Sequence, residues 1–437
     1  MAIASAEFAA RRKRLIKQLA PNSVVIVAAA QELVRSRDTH FPFRQDSDFL
    51  YLTGFDEPDA LLVMDTSQAG GMTLFCRERD KAMEIWNGPR AGMEGAVRDY
   101  CATAAFPIGE LDKRLPALLA NRERVYFPLG AHAVFEERLQ GWLNEVRAQS
   151  RAGVQAPAVL EDIRKPLHEM RLFKSVAEIK VMREAARISA QAHIAAMQAA
   201  KPGLHEYHLE AALQKVFLEG GSRFPAYGTI VGGGANACIL HYINNNAELR
   251  DGDLVLIDAG CELHGYAADI TRTFPVNGTF TAEQRALYEV VLNAQLAAID
   301  SIRPGVHWNK PHEVTVRVIT EGLVKLGLLK GKPAELMKAG AYRDFYMHRA
   351  GHWLGLDVHD VGDYKINGRW RPFEPGMVLT VEPGIYVSPT QRGVPKAFKG
   401  IGIRIEDDVV VTKTGCDVLT RDVPKSAEDI EQLMARA

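Results

Sequence analysis

Residues Asp251 to Val276 read DGDLVLIDAGCELHGYAADITRTFPV. The apolar run Leu254 to Ile257 has the composition of a buried strand and closes on an acid, Asp258; beyond the glycines Gly260 and Gly265 a second β-rich run carries another, Asp269. A hairpin turning between Leu263 and His264 would set Asp258 directly opposite Asp269, with both side chains on one face. Two opposed carboxylates repel unless a cation lies between them. An antiparallel sheet built around a charged pair is therefore the expectation from which the rest of the chain is read.

Acidic side chains are depleted in strands, because a half-buried charge must be paired or bound to a metal. Two further strand signals break this rule. GMVLTVEPGIYV carries Glu382 immediately before Pro383 and Gly384, where the strand must stop. GIGIRIEDDVVVT carries Arg404 and Glu406 two apart, hence on one face, with Asp407 pointing the other way. A single acid at a strand end is ordinarily a turn cap or the partner of a surface cation. Acids in four strands, with His348, His352 and His359 crowded into MHRAGHWLGLDVHD (Met347 to Asp360), ask for a shared cause.

His348 and His352 have the spacing of helical zinc ligands in HExxH, but Arg349 stands where that motif needs its glutamate, and Gly351 and Gly355 oppose a regular helix. A zinc helix is therefore rejected. One histidine is expected to complete an oxygen-rich metal site, the others to serve as acid–base or hydrogen-bonding groups. Asp258, Asp269, Glu382 and Glu406 with one neutral imidazole carry four negative charges, which two divalent cations balance and one does not. Oxygen-dominated ligation favours Mn2+, Co2+ or Zn2+ over Cu(I) or iron–sulfur clusters. Two such ions about 3.5–4 Å apart can share and deprotonate a water near neutral pH, which is the chemistry of a hydrolase.

The remaining sequence sets the bounds. A chain of 437 residues can form two or more domains. Its 53 basic and 54 acidic side chains leave a net charge of -1, so no global field draws nucleic acid or an anionic membrane, and a small or neutral partner is expected. VVIVAAA (Val24 to Ala30), the longest strongly apolar run, is too short to span a bilayer. Five scattered cysteines form no CxxC pair, which suits a reducing cytoplasm. The opening MAIASAEFAARRKRLIKQL has no apolar signal region; its basic amphipathic pattern, shared by mitochondrial transit peptides, reads as a first helix.

From Val24 to Phe127 short β-rich segments alternate with helical stretches, an α/β pattern. A proline- and charge-bearing stretch over 156–174 then leads into a long helix pattern from Ser175 to Ala200. The expected domains are thus 1–165 and 166–437, the second holding the acids and histidines. GTIVGGGANA, around Gly232 to Gly234, lacks the Lys-Ser/Thr of a phosphate loop and is expected to be a flexible turn positioning His241.

The segments SDFLYLTGFDEPDALLV and EIWNG, then HEMRLFKS, ILHY, DGDLVLIDAGCE, GYAADITRTFPV, HWLGLDVHDVG, EPGMVLTVEPGIY and GIGIRIEDD, resemble the pita-bread metallopeptidases, and among them the bacterial-type Xaa-Pro aminopeptidases (aminopeptidase P). The resemblance spans nearly the whole chain. It implies an α/β (α+β) protein, with a creatinase/prolidase-like N-terminal α/β domain concerned with substrate access and oligomerisation, followed by a pita-bread catalytic domain. It implies that Asp258, Asp269, His352, Glu382 and Glu406 hold two metals, typically manganese, with Asp269 and Glu406 bridging. It assigns His241, His348 and His359 to substrate and transition state, with Arg404, Tyr386 and Tyr227 lining the site. Trp86 would reach a neighbouring subunit's site in a homo-oligomer, a dimer or tetramer; Arg151 and Asp38 are further substrate contacts by the same resemblance, surface ion pairing being the alternative.

The resulting expectation is a cytoplasmic enzyme that removes one residue from peptides with proline second. Glu382 would relay a proton to the proline nitrogen, and His359 with His348 would stabilise the oxyanion. A prolidase acting on Xaa-Pro dipeptides and a non-catalytic peptide-binding groove are the alternatives.

Overall fold

The computed structural model describes residues 3–68 and 70–436. The chain divides into two compact units, Met1–Arg171 and Leu172–Ala437, so the division falls a little beyond the expected residue 165.

The first unit is organised around a six-stranded mixed sheet. Its strands are β1 (Ser23–Ala28), β2 (Leu61–Asp65), β3 (Thr73–Cys76), β4 (Ala104–Pro107), β5 (Arg124–Phe127) and β6 (Val159–Asp162), in the order β4-β3-β2-β1-β5-β6. Strand β1 is buried along its whole length, as its unbroken SVVIVA run requires of a central strand. Helix α1 (Ser5–Ile16) buries two arginines: Arg11 and Arg12 donate to the carbonyls of Tyr51 and Leu52, at 3.1 and 2.8 Å, at the C-terminal end of α2 (Ser47–Thr53). Cations there complement the helix dipole and satisfy its last carbonyls. Helix α3 (Lys81–Asn87) is short and buries none of its residues. Helices α4 (Leu111–Leu119) and α5 (Ala133–Arg147) close one face of the sheet through Leu111, Leu115, Leu139, Trp142 and Val146.

The second unit opens with α6 (Val176–Ala199), started by a Ser175/Glu178 capping box, and α7 (Glu206–Glu219). Then come β7 (Ile230–Gly233), β8 (Leu254–Asp258), the short hairpin β9 (Cys261–Leu263) and β10 (Tyr266–Ala267), and β11 (Thr271–Pro275). The order repeats. Helices α8 (Ala282–Asp300) and α9 (Lys310–Lys325) precede β12 (Val378–Val381), β13 (Gly384–Val387), β14 (Ile401–Arg404), β15 (Asp407–Val411) and β16 (Cys416–Val418). The antiparallel sets are β7-β8-β11, β12-β15-β16 and β13-β14, and a bridge between Thr271 and Glu406 links the first half to the second.

The Asp258–Asp269 hairpin differs from expectation in register. Leu263 pairs with Tyr266 and Asp258 with Thr271, so the turn is centred on His264 and Gly265, one position later than expected. Both have positive φ, 51° and 83°, as a type I′ turn demands. Asp269 therefore lies diagonal to Asp258 rather than opposite it. Moving the register by two keeps every side chain on its face, so both aspartates still point the same way. At Gly260 a Cβ would lie 1.7 Å from the Ala268 carbonyl oxygen, which is why the strand crossing tolerates only glycine there. The glycines expected as a flexible turn also differ: Gly232 and Gly233 belong to β7, paired with Leu256 and Val255, and the chain turns only at Gly234, φ 53°.

Candidate metal centre and peptide cleft

A cleft of about 970 Å³ in the second unit is lined by Tyr227, His241, Asp258, Asp269, His348, His352, His359, Glu382, Arg404 and Glu406, together with Trp308 and Trp370. Local pairing explains how distant residues meet there. The segment Ala350 to Leu354 is not a helix but lies antiparallel along β12: Glu382 N–H donates to Ala350, Thr380 N–H to His352 and Leu354 N–H to Val378. That ladder fixes His352 beside Glu382. The Thr271–Glu406 bridge does the same for the other pair, and the Thr271 hydroxyl donates to Glu406 Oε2 at 2.6 Å while accepting from Arg404 Nε at 3.2 Å. Arg404 and Glu406 thus share a face, and Asp407 points away into its own buried network with Arg272, Lys425 and Gln295.

Asp269, His352 and Glu406 bring one ligand atom each to within 4.8 Å of one another. His352 Nδ1–H donates to the Trp353 carbonyl at 2.9 Å, which leaves Nε2 facing Asp269 at 3.5 Å and Glu382 at 3.7 Å. A backbone carbonyl behind the ring is the usual way a metal-ligating histidine is oriented. The Tyr227 hydroxyl lies 2.7 Å from Asp258 Oδ1 and 2.5 Å from Asp269 Oδ1. One phenolic proton can satisfy only one of those carboxylates, so the other needs a proton or a cation.

Electrostatics make the same demand. Burial, with repulsion from Asp269, Glu382 and Asp258, pushes the Glu406 carboxyl well above its ordinary range. Burial raises Glu382 to about 7 and also raises Asp258, although Arg404 donates to Asp258 at 2.6 Å. Burial opposes ionisation of Asp269 too, but its bonds to His352 and Tyr227 hold it below normal. His352, which burial alone would keep neutral, is raised to about 9 by Asp269 and Glu382. The site is short of positive charge. Buried carboxylates converging with one imidazole are the donor set that a hard or borderline divalent ion requires, so the residues fit such a metal.

Beside these acids runs a directed chain of hydrogen bonds. Arg404 Nη1 donates to the Tyr386 oxygen at 2.9 Å, so the Tyr386 hydroxyl donates to His348 Nε2 at 2.9 Å and His348 Nδ1–H donates to the Arg349 carbonyl at 2.7 Å. Burial and Arg404 push His348 down to about 3 and keep it neutral. Both its nitrogens are engaged, Nε2 with the Tyr386 hydroxyl and Nδ1 with the Arg349 carbonyl. His359 packs edge-on against His352, ring centroids 4.3 Å apart, and burial and His352 lower its pKa; no hydrogen bond occupies its ring nitrogens among the described residues. His241 is exposed at the cleft wall.

Trp86, Arg151 and Asp38 lie in the first unit, all exposed, Trp86 on α3 at 81%. The sequence gives no sign of Thr271, Thr380 or the buried Lys174–Asp360 ion pair (2.9 Å), whose acid directly follows His359 in the chain. Their partners are far away in the chain, and nothing local announces them.

Comparison with known proteins agrees with this architecture. The model of "Metallopeptidase family M24" matches residues 180–413, and that of "Aminopeptidase P, N-terminal domain" matches residues 8–126. The chain is 48% identical to the Xaa-Pro aminopeptidase of Escherichia coli (strain K12), covering 100% of this chain and 99% of that one. Among solved structures it is similar to the aminopeptidase PepP of Pseudomonas aeruginosa, at TM-score 0.98 and 56% identity over 99% of this chain and 98% of that one. It is also similar to the proline aminopeptidase P II of Yersinia pestis, at TM-score 0.96 and 49% identity over 100% of both. With its aminopeptidase P N-terminal domain followed by a pita-bread metallopeptidase domain, the chain belongs to metallopeptidase family M24, among the bacterial Xaa-Pro aminopeptidases (aminopeptidase P).

Proposed function

We propose that the cleft releases the N-terminal residue from peptides with proline in second position, with Asp258, Asp269, His352, Glu382 and Glu406 holding two divalent ions, manganese first among them. Such ions would act as Lewis acids and lower the pKa of a water. The observation that carries the reading is the convergence of Asp269, His352 and Glu406 ligand atoms inside a cleft whose other acids are buried and short of counter-charge.

The protein's own groups divide the remaining work. An Xaa-Pro bond is a tertiary amide, so its nitrogen has no N–H to grip and must be protonated to leave. Glu382, which lines the cleft beside His352, would take a proton there and hand it to that nitrogen. His359, neutral and without a competing partner, offers an N–H to the oxyanion. Arg404 fixes Asp258 and, through Tyr386, the tautomer of His348. His241 and Tyr227 complete the walls.

The test is to strip the protein of metal, reload it with Mn2+, and follow release of the first residue from an Xaa-Pro-Yaa tripeptide and an Xaa-Pro dipeptide. Metal-dependent cleavage of the tripeptide is expected. Cleavage of the dipeptide alone would move the assignment to a prolidase, and failure on both with metal bound would leave a metal centre with another substrate. We also propose that the chain works in the cytoplasm as a homo-oligomer, with the first unit serving access and assembly. The exposed Trp86 and Ile85, at 81% and 82%, support that reading, and sedimentation of the Trp86→Ala variant checks it.

A further inference from the structure

Two cations on the wall of the cleft take no part in the metal centre. Lys365 lies on a two-strand hairpin, Lys365–Ile366 paired with Arg369–Trp370, closed by Asn367 and Gly368 at φ 50° and 78°. The Asn-Gly turn matches the right-handed strand twist and makes the hairpin a firm mount. Lys365 is cross-strand from Trp370 and holds its ammonium 4.3 Å from the indole centre. Arg349 reaches the same indole from the His348 segment, its guanidinium 5.2 Å from the ring centre, and donates to Asn309. Arg349, Lys365 and Trp370 all line the cleft.

Each cation is attracted by the face of the indole, and two such contacts on one ring gather positive charge on this wall of the cleft. Among the described residues neither cation has a carboxylate within ion-pair distance. Elsewhere the surface cations of this chain commonly find acids, as Arg79 finds Glu84 and Arg285 finds Glu431. A guanidinium and an ammonium that both rest against one indole, inside a peptide-sized cleft, offer charge-assisted hydrogen bonds to a carboxylate.

We propose that Arg349 and Lys365, gathered on Trp370, bind the C-terminal carboxylate of short peptides, making this enzyme selective for Xaa-Pro peptides with a free acid terminus. The inference rests on the cleft being the peptide site and names what sets its substrate class. Arg349 follows His348 directly, so the receptor is tied by backbone to the wall of the metal centre. Longer peptides would place their terminal carboxylate beyond reach and lose this contact.

The experiment compares kcat/KM for one Xaa-Pro-Yaa tripeptide as the free acid and as the C-terminal amide, in the metal-loaded protein and in its Arg349→Met/Lys365→Met variant. The acid should be preferred by about tenfold, the size of one charge-assisted hydrogen bond, mainly through KM, and the preference should shrink in high salt. The variant should bring the ratio close to one. Because both substrates depend equally on folding and metal, a damaged variant cannot mimic that change in ratio. Equal rates on acid and amide in the unaltered protein, or an undiminished ratio in the variant, would overturn the proposal. Failure to cleave either form would overturn the aminopeptidase reading itself, and this inference with it.

Discussion

His359 and His193 show how two histidines in one unit come to opposite uses. His359 lines the cleft beside His352, and on the proposed reading its replacement would remove a hydrogen bond to the oxyanion. His359→Ala should lower kcat by about a hundredfold or more while metal content, measured by atomic absorption, stays at the unaltered level. Near-normal turnover would remove this histidine from the mechanism. His193, on α6, is fully buried and donates Nε2–H to the Ala259 carbonyl at 2.9 Å, while its Nδ1 has no partner among the described residues. A proton on Nδ1 would be buried without an acceptor, and burial holds the imidazole down to about 4. Since the unfolded chain protonates at about 6.5, the stability contributed by neutral His193 is complete above that pH and is lost as pH falls towards 4. The amount is about 3 kcal/mol at the low end of the window. Urea unfolding at pH 7 and pH 5 should therefore show a smaller loss for His193→Gln than for the unaltered chain; an equal loss would assign the acid sensitivity to other groups.

Elements rather than single residues set the site's tolerances. A Cβ at Gly351 would sit 2.1 Å from the Thr380 carbonyl oxygen of β12, so Gly351→Ala must push apart the ladder that places His352 beside Glu382. The expected result is a loss of more than about 2 kcal/mol of stability and weakened metal retention on dialysis, whereas unchanged retention would show that His352 can find its place without that ladder. Lys174, just ahead of α6, and Asp360, just after His359, are each 1% exposed in their side chains and bond at 2.9 Å. Lys174→Met would remove one buried partner of Asp360, at a cost of about 2 kcal/mol by thermal unfolding; a cost under about 0.5 kcal/mol would mean the pair contributes little. These cases also mark what the sequence could reveal. Acids at strand ends, glycines near a turn and alternation along GIRIEDD are local signals, so the strands, the faces of Arg404, Glu406 and Asp407, and the rejection of a His348–His352 helix were legible. The hairpin register depended on His264 accepting a positive φ, which composition does not announce. The pairing of Ala350 to Leu354 with β12, the Thr271–Glu406 bridge and the Lys174–Asp360 bond join residues far apart in sequence, and only the fold brings them together.

Across the molecule, the two units carry separate cores, one around the sheet of β1 and the helices α4 and α5, the other including Trp353, Phe373 and the strands β12 and β15. Every expected metal ligand belongs to Leu172–Ala437. The second unit therefore bears the whole cost of its converging buried acids, and whatever binds them stabilises that unit by mass action, by about 4 kcal/mol when the free ion is a thousand times its Kd. The first unit has no share in this term. Calorimetric scans of the metal-stripped and Mn2+-reloaded protein should thus differ in one transition, lowered on stripping and restored by the ion, with the other unmoved. A single transition that moves as a whole would show that the units unfold as one cooperative body. No movement at all, with the ion present in excess, would mean that Asp258, Asp269, His352, Glu382 and Glu406 do not bind it, since burial of their like charges leaves no other route by which a bound cation could fail to stabilise the fold.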